Sequence, residues 1–101
     1  MNFEVLDDFN GLEMGFISNN SGGYISKNKY LFEKIELNHL NQFILEQSVF
    51  GTPIFKLGSG GVNILMISGI HGNELPPQLA SLRLLNELIN TKLENTVYII
   101  P

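Results

Sequence analysis

The 101-residue sequence contains no cysteine. Disulfide frameworks, thiolate zinc sites and cysteine nucleophiles are therefore excluded, and a metal ion could be held only by nitrogen and oxygen atoms. Basic residues are also few, because six Lys and Arg stand against ten Asp and Glu and give a formal net charge of -4. Without a cluster of basic side chains to match phosphates, we expect no nucleic acid partner.

Long hydrophobic runs are absent as well. The longest apolar stretch, residues 62–70, is interrupted by polar residues and glycine, and a membrane-spanning helix needs about 18 consecutive apolar residues. Residues 1–10 carry three acidic residues and no basic one, which is the reverse of the start of a signal peptide. We therefore expect a cytoplasmic protein with no membrane partner.

The first half of the chain gives weak structural signals. At this length a single domain, or part of one, is expected. Residues 1–35 alternate short apolar pieces with turn-forming residues, which favours short strands. Residues 36–47 predict an amphipathic helix with His39 and Asn41 towards water, because the apolar residues recur at helical spacing; they are Leu37, Leu40, Phe43 and Ile44.

The second half of the chain predicts a strand, a helix and a strand over residues 62–100. The run 62–68 is apolar on both faces and is predicted to be a central strand, with residues 53–57 as a hairpin partner or neighbouring strand. A helix is expected from Leu75, because leucines follow at helical period and prolines are tolerated in a first turn. Residues 96–100 predict a strand parallel to 62–68, joined by a right-handed crossover.

His71 and Glu74 are the candidate metal ligands. They lie where the predicted strand gives way to the helix, and an imidazole nitrogen and a carboxylate oxygen are both good ligands for zinc. A catalytic zinc site commonly takes three protein ligands, so this pair is incomplete. The same residues are also compatible with an ordinary turn, in which Asn73 caps the helix and Glu74 favours the positive end of the helix dipole.

The motif and its surroundings resemble a known family. The residues concerned are Ser48 to Ile54, the glycine turn, the run from Ile64 through Gly69-Ile70-His71-Gly72-Asn73-Glu74, and the closing Val97 to Pro101. They resemble the amino-terminal part of the zinc carboxypeptidase superfamily, and within it the branch of succinylglutamate desuccinylase and aspartoacylase. The resemblance covers about the last half of the chain.

The resemblance implies an α/β fold with a partial zinc-carboxypeptidase-like mixed sheet and flanking helices. It also implies that His71 and Glu74 are zinc ligands in a hydrolase acting on N-acyl amino acids or peptides. The family's third zinc ligand, general-base glutamate and substrate-binding arginine have no counterpart in this sequence. We therefore expect residues 1–47 to be an amino-terminal segment and residues 48–101 to be the start of a hydrolase domain truncated after Pro101.

A second hypothesis belongs to a different class. In it the chain is a non-catalytic α/β module that associates with another chain through an open sheet edge, and the loop at His71 binds an anion or nothing. The expected open edge is the strand at residues 96–100, because an unpaired apolar strand invites pairing. A serine hydrolase is not favoured, since the sequence has no Gly-x-Ser-x-Gly elbow.

Overall fold

The computed structural model describes residues 2–17, 29–36, 38–68 and 75–101, which form a small α/β domain around a five-stranded mixed sheet. The strand order is β1-β2-β3-β5-β4. The elements are β1 (Glu4–Leu6), a 3-10 turn (Asp7–Phe9), β2 (Leu12–Ile17), α1 (Lys29–Lys34), α2 (His39–Gln47), β3 (Thr52–Leu57), β4 (Asn63–Ile67), α3 (Leu75–Leu88) and β5 (Thr96–Ile100).

The first three strands pair antiparallel in chain order, with Glu4 opposite Met14 and Met14 opposite Phe55, and α1 and α2 lie in the connection from β2 to β3. The connection between β1 and β2 turns at Asn10 and Gly11, whose φ angles are 55° and 75°. Asparagine and glycine are the residues that tolerate this left-handed conformation. The prediction of short strands is confirmed for β1 and β2, whereas α1 was not predicted.

The last strand lies inside the sheet. β5 pairs antiparallel with β3 and parallel with β4. The parallel pairing predicted for residues 62–68 and 96–100 is confirmed. Three other predictions are wrong. β4 is an edge strand instead of a central one, and it is not the hairpin partner or neighbour of β3, because β5 separates them. The strand at residues 96–100, expected to form the open edge of the sheet, is an interior strand with a partner on each side.

The glycine turn between β3 and β4 packs against the loop that precedes β5. Thr96 Oγ1 donates a hydrogen bond to Gly60 O at 3.0 Å, and Asn95 Oδ1 accepts from Val62 N at 3.0 Å. A methyl group on Gly58 would collide with the carbonyl oxygen of Asn95. The close approach of the two backbones therefore needs glycine at residue 58. The turn connects β3 to β4 on the far side of β5, so these two strands do not form a hairpin.

The helices share one hydrophobic core with one face of the sheet. Phe55 pairs with Ile99 and Leu57 with Val97, so these four side chains point to the same face,. Residues of all three helices bury their side chains with them, namely Leu31, Ile35, Leu40, Ile44, Leu45, Leu82 and Leu85. Strands from residues 1–47 and from residues 48–101 thus contribute to a single sheet and core.

The two longer helices match the sequence pattern to different degrees. The helix predicted from Leu75 is confirmed as α3, with both prolines in its first turn. The helix predicted over residues 36–47 begins at His39, because Asn38 caps it by accepting a hydrogen bond from Asn41 N at 2.8 Å,. None of the helices in the described ranges is both long and apolar enough to cross a membrane.

Candidate metal site

The segment that carries the candidate ligands connects two well-placed elements. β4 ends at Ile67 beside the end of β5, and Ile67 pairs with Ile100. α3 begins at Leu75. Residues 69–74 therefore leave the carboxyl end of a strand that has a parallel neighbour and lead into the first turn of a helix. In α/β sheets, this end of the strands is where ligands bind.

Two hydrogen bonds link the residue after β4 to its neighbours. Ser68 N donates to Ile100 O at 2.9 Å, and Ser68 Oγ donates to Ser81 Oγ at 3.0 Å. Ser81 Oγ in turn donates to Gln78 O within α3 at 3.0 Å. Since Ser81 is buried in the second turn of α3, the strand end and the start of the helix are held at a fixed separation. Ser68 is thus linked directly to α3.

His71 and Glu74, the two predicted ligands, lie outside the described residues, as do Gly72 and Asn73. The structure describes the residues on either side of them. His71 follows Ser68 by three positions, and Glu74 directly precedes the first residue of α3.

The other histidine lies on α2. His39 is the first residue of α2 and is exposed, as predicted. Its ring meets Phe9 edge-on, with the ring centroids 5.2 Å apart. Within residues 2–17, 29–36, 38–68 and 75–101, no three His, Asp or Glu side chains gather closely enough to hold a metal ion.

A separate cleft of about 470 Å³ lies between the α1–α2 junction and α3. Its floor is a network of three asparagine side chains. Asn38 Nδ2 donates to Asn86 Oδ1 at 2.8 Å, and Asn86 Nδ2 donates to Asn41 Oδ1 and to Leu82 O, both at 2.7 Å. Asn41 Nδ2 donates to Glu36 O at 2.7 Å. The amides therefore bond to one another and to the backbone across the helix interface.

Sequence reasoning missed this network. Asn41 was expected to face water, but it is only 4% exposed, so that prediction is wrong. An isolated asparagine on a helix gives no sign of its partner 45 positions away. The cleft also carries both signs of charge, with Lys34 and Arg83 opposed by Glu36 and Glu87. Its mutually bonded amides and balanced charge indicate a structural joint more than a ligand site.

Comparisons with known proteins add no relative. A scan against protein-family models, a search of curated proteins and a search of solved structures each found no match. The functional proposal therefore rests on the sequence motif and on the two elements that flank it, β4 and α3.

Proposed function

We propose that the chain is the amino-terminal part of a zinc-dependent amide hydrolase, either a deacylase of N-acyl amino acids or a metallocarboxypeptidase. His71 and Glu74 would contribute two of the zinc ligands. The observation that carries the proposal is the junction itself: the His-Gly-Asn-Glu segment joins the carboxyl end of β4, which runs parallel to β5, to the start of α3.

The sheet is compatible with the family that the motif resembles. It is mixed, with antiparallel strands β1, β2 and β3 and one parallel pair, β4 and β5. A zinc-carboxypeptidase-like fold would use such a sheet to present its metal ligands at the strand-to-helix turn. We propose this fold on the combined support of the motif and the β4–α3–β5 unit.

The donor set fits zinc but does not complete a site. An imidazole nitrogen and a carboxylate oxygen are typical ligands, and the absence of cysteine leaves only nitrogen and oxygen donors,. When bound, zinc supplies a water of lowered pKa and polarises a carbonyl oxygen. Because catalytic sites commonly use three protein ligands, two ligands alone predict weak zinc binding.

The roles of this chain's residues in the proposal are limited to binding and positioning. His71 and Glu74 would bind the metal from one turn. Ser68 and Ser81 would hold the two ends of that turn in place through their 3.0 Å hydrogen bond. A base that accepts the proton of the attacking water has not been identified among these residues, so we expect the 101-residue protein to have no measurable amidase activity.

Zinc titration of single variants tests the proposal. His71→Ala and Glu74→Ala should each lower zinc affinity by at least tenfold, because each removes one of only two ligands. His39→Ala is the matched control, since the chain has two histidines and His39 lies on α2. It should leave the affinity unchanged. Isothermal titration calorimetry with zinc and histidine-selective NMR would measure both effects.

The outcomes separate the hypotheses. Zinc that shifts the His71 imidazole resonances but not those of His39 supports the proposal. Equal affinity of the wild type and both ligand variants contradicts it. Robust amide hydrolysis by the purified, zinc-loaded 101-residue protein would show that the chain already holds a complete catalytic site, contrary to the expectation stated here.

A further inference from the structure

Asn10 and Gly11 form the only Asn-Gly pair in the sequence. In such a pair the backbone nitrogen of glycine can attack the side-chain Cγ of asparagine, because glycine has no side chain to hinder its nitrogen. A bond forms between Gly11 N and Asn10 Cγ, the bond from Cγ to Nδ2 breaks, and Nδ2 leaves as ammonia with the proton of the Gly11 N–H. Water then opens the five-membered succinimide to aspartate or isoaspartate.

The native backbone holds the reacting atoms of this pair apart. Ring closure requires Cβ of Asn10 and N of Gly11 to be nearly eclipsed about the Cα–C bond that joins them. Asn10 is in the left-handed conformation, with φ 55° and ψ 35°. At this ψ the two atoms of an L-residue lie on nearly opposite sides of that bond. Attack therefore requires Asn10 to leave its native conformation.

Hydrogen bonds occupy both the attacking group and the leaving group. Gly11 N donates to Leu6 O at 3.2 Å, which engages the nucleophile. Asn10 Nδ2 donates to Ile89 O at 2.9 Å and to Asn90 Oδ1 at 3.0 Å, which engages the leaving group. The ring can close only after the turn between β1 and β2 has opened locally and released these bonds.

The partners of the Asn10 amide lie at the carboxyl-terminal end of α3. Ile89 N continues the helical pattern by donating to Leu85 O at 3.1 Å. The last carbonyl groups of a helix lack partners within it and carry partial negative charge. The Asn10 amide is a donor at this position. A carboxylate in its place would face two acceptors, Ile89 O and Asn90 Oδ1, at the helix end where negative charge is least favourable.

Both products of deamidation would therefore fit the native turn poorly. Aspartate at residue 10 has no proton to donate to α3 at neutral pH, and it follows Asp7 and Asp8 in the same turn. Isoaspartate routes the main chain through the former side chain, which lengthens the turn that sets Leu6 opposite Leu12. Neither product can restore the contacts of the original amide.

We propose that Asn10 is a one-way modification site. In the native state the left-handed conformation and the three hydrogen bonds protect it from deamidation. When the β1–β2 turn opens, Gly11 N attacks, and the product no longer binds the end of α3. Deamidation thus records opening of the turn and keeps the turn detached afterwards. The proposal does not involve His71 or Glu74.

Peptide mapping by mass spectrometry tests the protection. The 101-residue protein is incubated at mildly alkaline pH, both folded and in urea, beside a synthetic peptide of residues 6–14. Residue 10 should deamidate in the folded protein at least about tenfold more slowly than in the peptide, because only the opened fraction of molecules reacts. In urea the two rates should be similar.

Two variants at the end of α3 locate the source of the protection. Asn90→Ala removes one of the two acceptors of the Asn10 amide and should speed deamidation of the folded protein. Thr91→Ala is the matched control, because the hydrogen bond from Thr91 to Glu87 O is exposed and does not involve Asn10. It should leave the rate unchanged.

Asn10→Asp tests the consequence of the modification. Urea denaturation should show the equilibrium constant for unfolding raised about tenfold, because two hydrogen bonds are lost and a charge is placed at the wrong end of a helix. Asn2→Asp makes the same change of charge at an exposed residue before β1. This control should unfold as the wild type does.

Three results would overturn the inference. One is deamidation of residue 10 in the folded protein as fast as in the peptide. Another is equal acceleration by Asn90→Ala and Thr91→Ala. The third is an Asn10→Asp protein as stable as Asn2→Asp. None of these depends on zinc, so the outcome is distinguishable from that of the metal-site proposal.

Discussion

Asn86 is the residue on which the joint between α2 and α3 depends. Its side chain bonds to Asn38, to Asn41 and to the carbonyl of Leu82. Asn41 is buried, so losing this partner would strand its carbonyl oxygen away from water. The cost of a buried unpaired polar group exceeds the net gain from one hydrogen bond.

Asn86→Ala should therefore lower the free energy of unfolding by about 1–3 kcal/mol, measured by urea denaturation. Gln42→Ala is the matched control on α2, because the hydrogen bond of Gln42 to Glu46 is exposed. The control should change stability by less than about 0.5 kcal/mol. An equal loss in both variants would mean that the asparagine network does not contribute through burial.

The sequence predicted the exposure of a side chain correctly where that exposure depended on neighbouring residues in the chain. The exposure of His39 followed from its place on the polar side of the helix pattern. The burial of Asn41 could not be predicted, because it depends on Asn86, which only the fold brings near. For His71 and Glu74, the sequence predicts zinc ligands. The structure describes the strand that precedes them and the helix that follows them.

At the scale of elements, α3 is the part that the sequence determined best. Its leucines recur at helical period, and Leu82 and Leu85 are buried as that stripe predicts,. The burial of neighbouring side chains differs: Leu85 is fully buried, whereas Leu84 packs only partly against the core. The helix thus offers an internal comparison between two adjacent leucines.

Leu85→Ala should lower the free energy of unfolding by about 2–5 kcal/mol, because it leaves a cavity at a fully buried position. Leu84→Ala on the same helix should lower it by a markedly smaller amount. Thermal and urea denaturation would measure both. Similar losses in the two variants would contradict the orientation of α3.

Strand placement was harder to predict than strand existence. The sequence predicted β4 and its parallel pairing with β5, but it placed β4 in the centre because its residues are apolar on both faces. An apolar pattern on both faces shows that a strand can be buried on both faces. It does not show whether the strand has a neighbouring strand on one side or on both. The hairpin expected across the glycine turn failed for a similar reason, since a flexible turn between two strands does not require them to pair.

The short helix α1 was missed because its signal is weak. Leu31 in α1 and Ile35 just after it are four positions apart and both buried, but a single such pair within a turn-rich region does not distinguish helix from strand. Helices this short depend on tertiary packing more than on their own sequence. The position of α1 could therefore not be predicted from the local sequence pattern.

At the scale of the whole molecule, charge should control self-association. The chain carries -4 at pH 7 and has an isoelectric point near 5.0, so two copies repel each other at neutral pH and low salt. Lowering the pH towards 5 removes this repulsion.

We therefore expect the weight-average mass at a fixed protein concentration to be higher at pH 5.5 than at pH 7.5 at low ionic strength, measured by sedimentation equilibrium. At an ionic strength of about 0.5 M the same pH change should have little effect, because salt screens the repulsion. A pH dependence that survives high salt would contradict this expectation.

The order of the strands also constrains how the protein comes to be made. β3 and β4 are close in sequence but lie on either side of β5, and β5 is synthesised after both of them. Until residues 96–100 emerge from the ribosome, β3 and β4 have no strand between them to pair with, and in the finished sheet they are two strand spacings, roughly 10 Å, apart. Synthesis of β5, and not formation of the β1–β2 hairpin, is therefore the event that joins β4 to the other strands.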